Sequence, residues 1–167
     1  MSIVDRTEAA APQPASPAAA GPSSLLLTII AIATGALVAN LYYAQPLIAF
    51  IGPELGIPPS LAGTLVSVTQ LGYGVGLFLI VSLADIVESK RLVMLTLGAL
   101  VAALVVAALS HSALLFFVAS FVIGVASTGA QVLVPFASHL VPPERRGRTV
   151  GNIMAGLLTG ILVARPL

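Results

Sequence analysis

The side chains able to do chemistry in this 167-residue chain are mostly uncharged. Asn40, Tyr43, Gln45, Gln70 and Gln131 each offer a hydrogen-bond donor and an acceptor with no net charge. Groups of this kind recognise a solute; they do not attack it or carry protons. The chain has no cysteine, which excludes disulfide scaffolds, thiolate metal sites and cysteine nucleophiles. No His, Cys and carboxylate set has metal-ligand spacing. Neither the phosphate-binding pattern G-x-x-x-x-G-K-S/T nor the nucleophile elbow G-x-S-x-G is present. Gly72-Tyr73-Gly74-Val75-Gly76 lies inside an apolar run with no strand before it, so it is not a nucleotide loop. Recognition of a small solute is the chemistry left open. No cofactor and no enzymatic activity are expected.

The elements that must carry these residues follow from composition. Hydrophobic residues make up 58% of the chain and charged residues 8%, and mean hydropathy is +1.09. A soluble domain carries about 25% charged residues, so a soluble globular enzyme is excluded. A net charge of +1 implies no nucleic-acid partner. No Asp, Glu, Lys or Arg occurs from Ala9 to Pro53, Leu55 to Ala84, Leu92 to Pro143, or Thr149 to Ala164. About 20 apolar residues cross a bilayer as a helix. The third window is too long for one span and breaks at Ser110-His111-Ser112. The sequence therefore predicts five transmembrane helices, over about 25–50, 60–83, 92–110, 113–137 and 149–167. They must be helices because lipid offers backbone groups no hydrogen-bond partner. Residues 1–24, rich in Ala, Pro and Ser without periodicity, are expected to be a disordered tail.

Lys and Arg set the expected orientation. Arg6 in the tail, Lys90 and Arg91 after the second span, and Arg145, Arg146 and Arg148 after the fourth all fall on one side. The connections around Glu54 and His111 hold none. The N-terminus and both basic connections are therefore expected in the cytoplasm. The expected location is the cytoplasmic (inner) membrane, with the lipid bilayer as the first partner. Arg165 in the last apolar run is expected to snorkel to the outer interface or to find a polar partner.

Polar and small residues mark faces, because positions three and four apart align on a helix. Gly63, Ser67, Gln70 and Gly74 form one stripe, and Ser120, Gly124, Ser127 and Gln131 another. Asn152, Gly156, Thr159 and Gly160 lie along one side of the fifth span. Small residues there suit close helix packing, as in Gly72-x-x-x-Gly76 and Gly156-x-x-x-Gly160. Asn40, Gln70 and Gln131 are costlier to bury unpaired and suit either packing or a polar cavity. Tyr42 and Tyr43 suit a cavity or an interfacial belt. Pro46 and Pro135 should loosen their helices. The third span, nearly free of polar residues, is expected to be the most lipid-exposed.

The turn Ser82-Leu83-Ala84-Asp85-Ile86-Val87-Glu88-Ser89-Lys90-Arg91 resembles the signature between helices 2 and 3 of the major facilitator superfamily. Leu83, Ala84, Asp85 and Lys90 match; Val81, Ile86, Glu88 and Ser89 depart from it. Asn40-Leu41-Tyr42-Tyr43-Ala44-Gln45-Pro46-Leu47 and Val141-Pro142-Pro143-Glu144-Arg145-Arg146-Gly147-Arg148-Thr149-Val150-Gly151 look like its arabinose-efflux or drug/proton-antiporter branch. The resemblance implies a six-helix bundle as half of a body of about twelve helices. Helices 1 and 4 would line a central cavity, and Asp85 would help lock the cytoplasmic side. An arginine common in helix 4 of the antiporters is here Ser120, and the proline of the helix 5 antiporter motif is here Ile161.

The fold class expected is an all-α membrane protein: five helices of an N-terminal six-helix bundle, truncated, over 25–167. The function expected of the parent is secondary transport of a small organic solute, sugar or drug-like, outward. The portion at hand is not expected to transport alone, because the second half is missing. Asn40, Tyr43, Gln45, Gln70 and Gln131 are the candidates for the cavity. Asp85, Lys90, Arg91, Arg145, Arg146 and Arg148 are the candidates for orientation and the cytoplasmic gate. A complete five-helix membrane subunit and a remnant of a disrupted permease gene are the alternatives.

Overall fold

The computed structural model describes residues 22–164. Nearly all of the expected tail, and Arg165, lie outside them. The chain is an all-α membrane protein. Five helices are long and apolar enough to span a bilayer: α1 (Ser24–Glu54), α2 (Pro59–Val81), α3 (Ser89–Ala108), α4 (Ala113–His139) and α5 (Pro143–Ala164). No strand occurs among the described residues.

The gaps between charges locate the spans, but the helices do not stop where the charges begin. α1 has 31 residues, about 46 Å at the rise of an α-helix, against a hydrocarbon core of about 30 Å. It therefore runs past Pro46 and Pro53 to Glu54. α5 begins at Pro143 rather than near residue 149, and α3 begins at Ser89 rather than at 92. Proline is pre-organised for a first helical turn, where its missing N–H has no intrahelical role. Arg145, Arg146 and Arg148 thus occupy the opening turns of α5, and Lys90 and Arg91 the opening turn of α3, instead of connections.

Local chemistry sets several ends. Ser23 caps α1 by accepting from the Leu26 N–H at 3.2 Å, and Ser112 caps α4 through the Leu115 N–H at 3.4 Å. Each satisfies an orphan donor of a first turn. α1 ends at Gly56, whose φ of +67° is open to glycine at little cost. The Ile57 N–H reaches back to the Gly52 carbonyl at 2.8 Å, and that of Gly56 to Pro53. This six-to-one closure is the Schellman pattern, and it drives Ile57 into a cluster with Leu65 and Phe116.

Two helices are irregular. α2 is α-helical over Ala62–Gly76 and π-helical over Leu77–Val81. α4 breaks at Thr128 between Ala113–Ser127 and Gly129–His139. The Thr128 hydroxyl and N–H both donate to the Val125 carbonyl, at 2.6 and 3.3 Å. A threonine side chain competing for helix carbonyls in this way bends the helix.

α4 is the centre of the bundle, with Ile123, Ala126, Ala130, Leu133 and Ala137 in the main core. α1 packs most extensively on α5, and α2 on α4. Both crossings are made by glycine. A side chain on Gly156 would come within 2.6 Å of the Ala31 carbonyl, and one on Gly160 would run into Gly35. Gly72 abuts the Phe121 backbone, and Gly124 abuts Thr69 and Tyr73. α3 turns Leu92, Thr96, Leu100 and Ala103 inward. Within this chain 28% of its spanning window is buried, against 22% for α2 and 17% for α5. The difference arises because α2 and α5 leave whole faces open.

Candidate functional site

Asn40 and Tyr43 share a wall. Three residues apart on α1, they line a partly open cavity of about 330 Å³ in the half of the bundle away from the charged turns. Leu47 and Ile51 continue that wall; Thr69 of α2, Leu104, Ala107 and Ala108 of α3, and Phe116, Ser120 and Ile123 of α4 complete it. The lining is mainly apolar. Most of its polar groups are already engaged with their own helices. The Thr69 hydroxyl donates to the Leu65 carbonyl at 3.0 Å, that of Ser120 to Phe116 at 2.8 Å, and the Asn40 amide to Ala36 at 2.7 Å. Among the described residues, the Asn40 side-chain oxygen and the Tyr43 hydroxyl make no hydrogen bond. Such a pocket suits a molecule with an apolar body and a few hydrogen-bonding groups.

The other amides sit elsewhere. Gln45 is exposed on α1. Gln70 lies in a shallow groove along α2 with Leu71, Gly74, Val75, Phe78 and Leu79. Gln131 is half-buried, and its Nε2 donates to the Tyr73 hydroxyl at 2.8 Å. The structure therefore brings two of the five candidates to one cavity and gives a third a protein partner. Tyr73, Thr69 and Phe116 carry no sequence signal of a role. Each becomes visible only when α2 and α4 are brought together.

The open faces are distinctive. On α2, Gly63, Ser67, Gln70 and Gly74 are all exposed; its packing face is instead Leu65, Thr69, Gly72 and Gly76. On α5, Arg148, Asn152 and Thr159 are exposed, while Gly156 and Gly160 face α1. α3, by contrast, presents Met94, Leu95, Val101 and Val105 outward. Hydrocarbon suits the α3 face; an amide such as Gln70 or Asn152 calls for protein or water. On α4, Ser120, Gly124 and Ser127 are buried.

At the charged end, Asp85 stands exposed in the turn before α3. Lys90, Arg91, Arg145, Arg146 and Arg148 are exposed too. All lie at one end because α2 and α4 end there and α3 and α5 begin there. The helix N-cap of α3 is Glu88, which makes no side-chain capping bond.

Comparison with known proteins is consistent with this architecture. A family model described as Major Facilitator Superfamily matches residues 27–167. A protein of Escherichia coli O157:H7 named an uncharacterized transporter, YgaY, is 41% identical over 143 residues, covering 86% of this chain and 36% of that protein. A Streptomyces coelicolor protein named a probable transporter is 38% identical over 163 residues, covering 90% of this chain and 36% of its own length. The chain thus spans about a third of the length of these curated relatives. No solved structure matches it.

Proposed function

From the premise that the chain belongs to the major facilitator superfamily, we propose that it forms part of a secondary transporter that moves a small organic solute outward across the cytoplasmic membrane. The match across residues 27–167 carries this reading, since it takes in all five spans. The direction and the drug-like or sugar-like solute class rest on the branch resemblance of the segments around Asn40 and Arg145. Asn40 and Tyr43 contribute hydrogen bonds to the solute, Gln45 and Gln70 serve polar surfaces of the larger body, and Gln131 holds α4 to α2. Asp85 and the five cations of the charged end act at the cytoplasmic gate.

The polar faces of α2 and α5 support a body larger than these five helices. Transporters of this kind rock one helical repeat against another around a shared site, and the exposed rows on α2 and α5 offer surfaces for such a second body. The test is flux in vesicles, with a non-metabolised sugar and a lipophilic amine dye as probes. This chain alone should give no flux above empty vesicles. Co-expressed with the remaining two thirds or so of YgaY, it should give efflux of one probe, and Asn40→Leu should reduce that flux about tenfold, the scale of one lost hydrogen bond to a bound group. Flux from this chain alone overturns the larger-body reading. Flux of neither probe, with both polypeptides present in the membrane, overturns the transport reading.

A further inference from the structure

We propose that Tyr73 is a positioning residue. Its hydroxyl accepts the Gln131 amide and braces the charged-end half of α4 against α2, across the break at Thr128.

The backbone ladder of that half-helix is interrupted twice. Gly129–His139 is bounded on one side by Thr128, where the ladder shortens to bonds three residues apart: Thr128 N–H to Val125, and Gln131 N–H to Thr128 at 2.9 Å. Within it lies Pro135, which has no N–H to give to the carbonyl four residues earlier. That carbonyl belongs to Gln131. The residue in the middle of the weakened segment therefore has a shortened bond at its N–H and a missing donor at its carbonyl. Its side chain makes the compensating contact, at 2.8 Å, to a helix 58 positions away in sequence.

The anchor is on firm ground. Tyr73 lies in the α-helical part of α2, before the π-helical stretch Leu77–Val81. Gly124 of α4 makes its close approach at the Thr69 carbonyl, with the Tyr73 backbone nitrogen next nearest. Two interruptions face each other at this level: Gly76, at the edge of the π-helical stretch, sits against Thr128 of α4, with 2.7 Å from an added Cβ to Thr128 Cγ2. On the far side of this level, α2 and α4 are zipped by glycine contacts. The Gln131–Tyr73 bond crosses this level, from the charged-end half of α4 to the α-helical part of α2. Irregular helix geometry of both kinds is frequent at functional sites; the core packing of Ala130, Leu133 and Ala137 holds this half-helix in place, while its backbone ladder is interrupted at Thr128 and at Pro135.

The test is hydrogen–deuterium exchange of this chain in lipid nanodiscs, resolved to peptides from 113–127 and 129–139. Tyr73→Phe keeps the ring and removes only the acceptor. It should speed exchange of 129–139 about threefold, the scale of a side-chain hydrogen bond between membrane helices, and leave 113–127 unchanged. Gln131→Leu removes the same bond from the other side and should act alike. The double variant should add nothing further, because both changes break one bond. Equal acceleration of both peptides would mean general loosening and overturn the proposal. So would unchanged exchange in both single variants, or additive effects in the double.

Discussion

At the scale of single residues, the glycines divide into two kinds that the sequence cannot separate. Gly124 and Gly74 both lie on stripes of small residues. A Cβ on Gly124 runs into the Thr69 backbone, while one on Gly74 meets nothing. Overpacking a filled site costs about 1–3 kcal/mol. In an open helical position, alanine is favoured over glycine by about 1 kcal/mol. Gly124→Ala should therefore lower the thermal unfolding temperature in detergent, and Gly74→Ala should leave it unchanged or raise it. A matching drop for both would show that the stripe of α2 is packed after all. The same distinction explains what was legible at this scale. Spacing placed Gly72, Gly76, Gly156 and Gly160 where helices meet, and all four do face a neighbouring helix. Spacing also grouped Gly63, Ser67, Gln70 and Gly74, but a stripe names no neighbour, and this one is open. Likewise, the five polar residues Asn40, Tyr43, Gln45, Gln70 and Gln131 are alike in chemistry, and of these only Asn40 and Tyr43 share the cavity.

At the scale of elements, the number of helices and their approximate centres were legible because charge is excluded from hydrocarbon. The end of α1 and the starts of α3 and α5 were not, because a helix is limited by its capping and not by the membrane. Pro143 and Glu144 suit a first turn whatever the solvent. The break at Thr128 was illegible for a further reason. Threonine is common in membrane helices, and only the geometry shows its hydroxyl taking the Val125 carbonyl. The turn after α1 gives a direct test of element ends. Gly56→Ala forces a left-handed residue to carry a Cβ, at a cost of about 1–2 kcal/mol, while Gly63→Ala meets open space. Gly56→Ala should unfold in detergent at lower temperature than Gly63→Ala. Equal midpoints would mean that the Ile57–Gly52 closure does not hold the end of α1.

At the scale of the whole molecule, the cations raise a conflict that the fold does not resolve by itself. Lys90 and Arg91, and Arg145, Arg146 and Arg148, sit in the first turns of α3 and α5. There the helix dipole disfavours positive charge. Their placement fits the topology rule, in which basic residues remain in the cytoplasm. Because the chain has no cysteine, orientation can be read from single introduced thiols. A membrane-impermeant maleimide should label His111→Cys in intact cells, and Glu88→Cys and Gly147→Cys only in inside-out vesicles. The reverse pattern would invert the molecule. The glycine crossings described above also govern how the bundle can be made. The most extensive partners of α4, which are α2 and α3, precede it in the chain, so that cluster can close as soon as α4 enters the membrane. The close-fitting partner of α1 is α5, the last helix of the described chain to be synthesised. Until Gly156 and Gly160 arrive, the groove at Gly35 stands empty in lipid, and that one face of α1 is what a membrane chaperone or a quality-control protease meets uncovered during translation.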